Sequence, residues 1–136
     1  MEKLLLSWED IQNDIDTLCN KIQDRKFQFI SGLPRGGLIP AVLISHKLDI
    51  TYKSLSLSKA IEEGKYLLID DIADSGETLI DKKYEGYIKA TLHYKKHSLI
   101  KPDYYAREIP NNIWLVYPWE SEYSNTIQDY KIKVND

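Results

Sequence analysis

The sequence predicts an α/β layer fold, with a mostly parallel central sheet flanked by helices. Three observations predict it. Trp8, Ile11, Ile15, Leu18 and Ile22 recur at spacings of three and four, the period of an amphipathic helix. The segment "KYLLIDDI" (65–72) carries an unbroken apolar run, which suits a central strand covered on both faces. Strand-like and helix-like stretches then alternate along the chain, a pattern that joins parallel strands through crossovers.

Each element has its own signal. Ser7 with Asp10 three residues on reads as a capping box, so the first helix covers roughly 8–23. "FQFISGL" reads as a strand ending at Gly32, and "RGGLIPAVLISHKL" as a buried helix from about Gly37 to Lys47. Pro40 is acceptable in that helix's first turn, where a missing N–H costs little. "DITYKSLSLS" (49–58) is rich in β-branched residues and reads as a strand. After 65–72 a helix is expected from about Ser75 to Lys83, followed by short strands at "YIKATLHY", "YYAREI" and "IWLVY". The division expected is one domain over 1–120 and a polar tail over 121–136, which Tyr123 and Tyr130 could dock.

Composition narrows the classes. The chain has 136 residues, enough for one domain with a real core, and a net charge of −3 argues against a dedicated nucleic-acid binder. The lone Cys19 excludes an internal disulfide and fits a reducing compartment, where it reads as a small buried side chain. The three leucines at the N-terminus are too short a run for a signal peptide, and no later run approaches a membrane span. The expectation is a cytoplasmic protein with no membrane partner. His46, His93 and His97 lack metal-ligand spacing, so a zinc site is not expected, and His93 reads as core or surface.

The chemistry concentrates in two turns at the carboxyl ends of strands, where ligands gather in such sheets. In "LLIDDIADSGETL" (67–79), Asp70 and Asp71 crowd like charges that call for a cation or a hydroxyl-rich ligand. Ser75, Gly76, Glu77 and Thr78 follow as a small-residue turn whose backbone N–H groups suit a phosphate. A phosphate cradle beside a hydroxyl-binding acid pair describes a ribose 5-phosphate site. In "LPRGG" (33–37), Arg35 and the N–H groups of Gly36 and Gly37 suit a second phosphate or a pyrophosphate.

"YLLIDDIADSGETL" resembles the binding motif for phosphoribosyl pyrophosphate (PRPP) of type I phosphoribosyltransferases. "LPRGGLIPA" and "IPNNIWLVYPWE" are most similar to the xanthine-guanine branch, and the resemblance runs over residues 7–120. It implies transfer of the 5-phosphoribosyl group from PRPP to a 6-oxopurine (hypoxanthine, guanine or xanthine), with Mg²⁺ as cofactor. Carried onto this sequence, it implies that Arg35 and Gly36 face pyrophosphate, and that Asp70 and Asp71 hold the ribose hydroxyls, with Asp71 near Mg²⁺. Ser75, Gly76, Glu77 and Thr78 would wrap the 5-phosphate, and Asp74 would be the catalytic general base at the purine's imidazole edge. Lys95 would meet the exocyclic oxygen, Trp114 would stack on the ring, and Leu115 would complete the purine site. Trp119 and Glu120 would be structural, within a small C-terminal hood.

The chain departs from the family in three places. Only a short connection, 57–65, stands where a long closing loop is usual. "LPRGG" lacks the serine that commonly precedes the arginine, and Val116 replaces a carboxylate. The alternative left open is therefore a non-catalytic module that binds PRPP or nucleotide and regulates. The family's habit also implies a homo-oligomer, a dimer or tetramer.

Overall fold

The computed structural model describes residues 1–55 and 61–121. The first part of the short connection and the tail beyond Ser121, including Tyr123 and Tyr130, therefore lie outside the described residues. The elements are β1 (Glu2–Leu5), α1 (Trp8–Ile22), β2 (Phe29–Gly32), α2 (Leu38–Leu48), β3 (Tyr66–Ala73), a single 3-10 turn at Lys82–Tyr84, β4 (Ile88–Tyr94), β5 (Tyr104–Glu108) and β6 (Ile113–Val116).

Strands β2, β3, β4 and β5 form one four-stranded sheet in that order, every pairing parallel. The apolar run of β3 splits by the strand period. Leu67 and Ile69 join the core beneath α1 and α2, whereas Leu68 joins a second cluster with Leu33, Leu79, Tyr84, Tyr87 and Tyr94. Both faces are thus covered, which explains why this strand shows no polar alternation.

Helix α1 begins where its capping box predicts. The Ser7 side chain accepts from the Asp10 N–H at 3.0 Å, and Asp10 accepts from the Ser7 N–H at 2.8 Å. Its buried stripe of Ile11, Ile15, Leu18, Cys19 and Ile22 lies against the sheet, so Cys19 is a core residue as expected. Helix α2 buries Pro40, Ala41 and Ile44 against β2 and β3, and ends at Asp49 in the left-handed conformation.

Two expectations are corrected and one strand is added. The strand expected over 49–58 reduces, in its described part, to an isolated parallel bridge between Ile30 and Tyr52. The helix expected over 75–83 is one turn closed by Ile80 N–H to Gly76 O (3.1 Å) and then the 3-10 turn. Asp81, in extended backbone, separates the two turns, and extended Glu85 followed by Gly86 at positive φ ends the second. β1 was not anticipated; it pairs in parallel with β6, making a separate two-stranded sheet that forms the hood. Among the described residues no helix is long and apolar enough to cross a membrane.

Candidate active site

The site arises from a difference in strand length. β2 stops at the Gly32–Ile69 pairing, while β3 runs on beside β4 through Asp70–Thr91 to Ala73–Tyr94. Asp70 and Asp71 therefore lie within the strand rather than just after it, on the part that β2 no longer flanks. The 34–37 turn fills the vacated edge, anchored by Leu33 N–H to Ile69 O at 2.9 Å. A Cβ on Gly37 would lie 2.3 Å from Ile69 O, and one on Gly36 would lie 2.3 Å from Asp71 Oδ2. Only bare backbone lets this turn lie against β3.

The turn is narrower in donors than its sequence suggests. The Gly37 N–H is committed to Leu33 O at 2.8 Å and the Leu38 N–H to Arg35 O at 3.1 Å. Of the two glycines, Gly36 is the one whose N–H is left to meet a ligand. Arg35 is exposed beside it, and the Pro34–Arg35 peptide is cis.

Asp71 is electrostatically costly. Burial, assisted by the charge of Glu120, pushes its carboxyl up to about 6, even though Oδ1 accepts from the Ile72 N–H at 2.8 Å. Asp70 Oδ1 accepts from the Asp71 N–H at 2.9 Å. A carboxylate held in this way, facing a cationic turn, is suited to a hard cation or to sugar hydroxyls. Among the described residues no group of three or more His, Cys, Asp or Glu could hold a metal by itself, and Mg²⁺ commonly takes only one or two carboxylates plus substrate oxygens.

The 75–78 turn keeps its place but has no helix macrodipole behind it, because the chain continues from it into only one helical turn. Ser75 Oγ accepts from the Glu77 N–H at 3.3 Å, and Ser75 O accepts from the Leu99 N–H at 2.9 Å. Gly76, at φ 79°, has no room for a side chain: a Cβ would lie 2.4 Å from Ser98 Oγ. Ser75 and Thr78 are half-buried and Glu77 is exposed.

Asp74, Lys95 and Trp114 come together from three elements. Lys95 follows β4, and its N–H donates to Ala73 O at 3.0 Å, extending the β3–β4 ladder by one step. Its side chain is only 1% exposed; Nζ lies 3.2 Å from Asp74 Oδ2 and 5.6 Å from the Trp114 ring centre. Trp114, on β6, is half-buried. Leu115 is not brought to this place. It alternates with Trp114 and packs in the main core, so its side chain does not line the purine site as expected.

Two features escaped the sequence. His97 Nε2 lies 2.5 Å from Asp74 Oδ1, so both oxygens of that carboxylate are engaged. His93, fully buried, lies between Asp14 (Nε2 to Oδ2, 2.7 Å) and the Tyr117 hydroxyl (Nδ1, 2.8 Å), while Arg107 donates to Asp14 at 2.7 and 3.0 Å. Burial lowers the pKa of His93 and outweighs the bond to Asp14. Burial would raise Asp14, but the bonds from His93 and Arg107 outweigh it and hold the carboxyl below its ordinary range. A neutral His93 then donates from Nε2 to ionised Asp14 and accepts at Nδ1 from Tyr117. The only sequence signal for this was Asp14 on the apolar stripe of α1.

A parallel sheet with an acid pair on one of its inner strands, a glycine-bearing turn on each side of that strand's carboxyl end, and a small hood make up the type I phosphoribosyltransferase fold. No family model matches the chain. A xanthine-guanine phosphoribosyltransferase from Chromohalobacter salexigens is 28% identical over 88% of this chain and 85% of its own length. The solved purine phosphoribosyltransferase from Pyrococcus horikoshii is 29% identical, covers 94% of this chain and 99% of its own, and superposes with a TM-score of 0.75. The Helicobacter pylori xanthine-guanine-hypoxanthine enzyme, at 19% identity over 87% of this chain and 92% of its own, shares the fold with a TM-score of 0.71. Within the type I class, the curated relatives that the chain matches are named xanthine-guanine phosphoribosyltransferases, so the chain is similar to that branch.

Proposed function

We propose that the protein transfers the 5-phosphoribosyl group of PRPP to a 6-oxopurine base, releasing pyrophosphate and the nucleoside monophosphate. The observation that carries this reading is the meeting of Asp74, Lys95 and Trp114 beside the acid pair of β3. A module that merely binds PRPP has no use for a buried lysine aimed over an aromatic shelf. The Pyrococcus match also runs nearly the full span of both chains, which supports catalysis in a chain without a long closing loop.

In this reading Asp70 and Asp71 accept hydrogen bonds from the ribose hydroxyls, and the 75–78 turn holds the 5-phosphate through its backbone. Arg35 and the Gly36 N–H meet the pyrophosphate as its charge grows. Asp71 fits Mg²⁺, because a cation beside this buried carboxylate offsets the cost of ionising it. Bound with PRPP, the ion would supply charge neutralisation at the leaving group. Trp114 stacks on the purine, and Lys95 donates from Nζ to its 6-oxygen. Adenine, bearing an amino group there, leaves the lysine unpaired. Asp74, released by Lys95, accepts the proton from the purine's imidazole ring. The polar acid pair favours the cationic sugar of the transition state.

Pyrophosphate release from PRPP and Mg²⁺, with hypoxanthine, guanine, xanthine and adenine supplied separately, tests the proposal. Release with an oxopurine and formation of the matching mononucleotide are expected. No release with any base, alongside calorimetric PRPP binding, would instead identify a regulatory module. Light scattering tests the proposed homo-oligomer.

A further inference from the structure

We propose that His97 is a positioning residue for the proton-accepting step, holding Asp74 through Oδ1 while Lys95 is engaged by the purine. The inference rests on the transferase reading above. Asp74 is gripped from two sides: by Lys95 Nζ on Oδ2 (3.2 Å) from the buried side, and by His97 Nε2 on Oδ1 (2.5 Å) from the solvent side. When a 6-oxopurine enters and Lys95 turns to its oxygen, Oδ2 is released to face the ring N–H. The His97 bond is then the one that keeps the carboxylate from rotating. The proton moves from the ring nitrogen to Asp74, the N–H electron pair stays on the purine, and the Nε2–H of His97 remains on the imidazole throughout.

The backbone supports this role. The His97 N–H donates to Asn111 Oδ1 at 3.3 Å, the Ser98 N–H to Lys95 O at 3.0 Å, and the Leu99 N–H to Ser75 O at 2.9 Å. The segment bearing His97 is thereby fastened to Lys95 and to the phosphate turn. Asp74, and Lys95 through it, are the charged groups that the structure sets against the imidazole. Neighbouring Lys96 pairs instead with Glu108 at 3.7 Å. The side chain is 44% exposed, so its replacement leaves the core untouched.

Three variants test the proposal in single-turnover reactions, measured against wild type with PRPP, Mg²⁺ and hypoxanthine or guanine. Displacing a reacting group by about an ångström costs on the order of 10²-fold, so His97→Ala should slow the chemical step by about that factor with KM for PRPP unchanged. His97→Gln places an N–H donor near the position of Nε2 and should recover most of the rate. His97→Asn, whose donor reaches only as far as Nδ1, should not. A His97→Ala rate equal to wild type overturns the inference, as does equal slowing of all three variants or a loss confined to KM for PRPP. An inactive wild type is a separate result: it removes the transferase reading, and this role with it.

Discussion

Replacing Asp71 by Asn should stabilise the ligand-free protein. Burial pushes this carboxyl from an ordinary 3.8 to about 6, so above pH 6 the fold carries an ionised group that it would rather keep protonated. Roughly two pKa steps at about 1.4 kcal/mol each make about 3 kcal/mol, an upper bound once local relaxation is allowed for. Between about pH 4 and 6 the unfolded chain has released this proton while the native state retains it, so wild-type stability contributed by Asp71 falls as pH rises through that window. Asn has no such titration, keeps an oxygen for the Ile72 N–H, and removes the repulsion with Glu120. In EDTA at pH 8, thermal denaturation should show Asp71→Asn melting roughly 5–10 °C above wild type, with the gap closing between pH 6 and 4. Adding Mg²⁺ and PRPP should reverse the order, because ligand binding then stabilises wild type alone. A variant that melts at or below wild type at pH 8, or a gap independent of pH, would refute this account of Asp71.

The remaining expectations concern the turn, the lysine and the buried network. Lys95→Ala should lower kcat/KM for hypoxanthine and guanine by about 10²-fold or more while leaving PRPP affinity in place; equal losses in both, by kinetics and calorimetry, would make Lys95 a packing residue. Gly76→Ala must force a Cβ against Ser98 Oγ at positive φ, so denaturation should show a loss of about 1–3 kcal/mol together with a raised KM for PRPP. Asp14→Asn should cost about 2–3 kcal/mol at pH 7 by removing charge-assisted bonds from Arg107 and His93. Because the Asp14 carboxyl lies below its ordinary range, its contribution is present above about pH 4 and is lost as pH falls further, so the two melting curves should converge in acid.

Much of the architecture was legible because it depends on local periodicity. The α1 stripe and its capping box, the doubly buried β3 and the alternating elements each leave a pattern within one segment. The acid pair and the Ser75–Thr78 turn were equally visible, since their spacing is short. What stayed hidden depends on partners distant in sequence. β1 is four residues long and is a strand only because β6 lies beside it. The expected helix after Ser75 is the exception: it stops after one turn because Asp81 takes extended backbone and its side chain caps the following 3-10 turn at the Lys83 N–H, a local switch that helical periodicity does not mark. Leu115 was grouped with Trp114 through the family resemblance, although adjacent strand residues face opposite ways. His97 was weighed in the sequence only as a metal ligand and set aside for lack of spacing; the turn fastening Leu99 to Ser75 is what brings it to Asp74.

The Arg107–Asp14–His93–Tyr117 chain, buried except at Arg107, has a consequence for the proposed purine site. The hood's strands β1 and β6 pair with each other and with no strand of the main sheet, so ladder hydrogen bonds do not fix where Trp114 sits relative to Lys95. The polar chain does so together with the packing of Leu115 and Tyr117 into the main core. Arg107 comes from β5, Asp14 from α1, His93 from β4 two residues before Lys95, and Tyr117 from just beyond β6, three residues after Trp114. Its bonds run one way, from Arg107 and from His93 into Asp14, and from Tyr117 into His93, so each donor has an acceptor and no member is left unsatisfied. Buried polar groups of this kind contribute little net stability against an apolar alternative but allow fewer arrangements. Tyr117 also stacks on Trp119 at 4.9 Å and lies with its hydroxyl 3.4 Å from the Asp71 carbonyl, which places the hood's anchor against the acidic strand itself. One set of directional bonds thus bears on both the gap between Lys95 and Trp114 and the placement of the hood against the strand that carries Asp70 and Asp71.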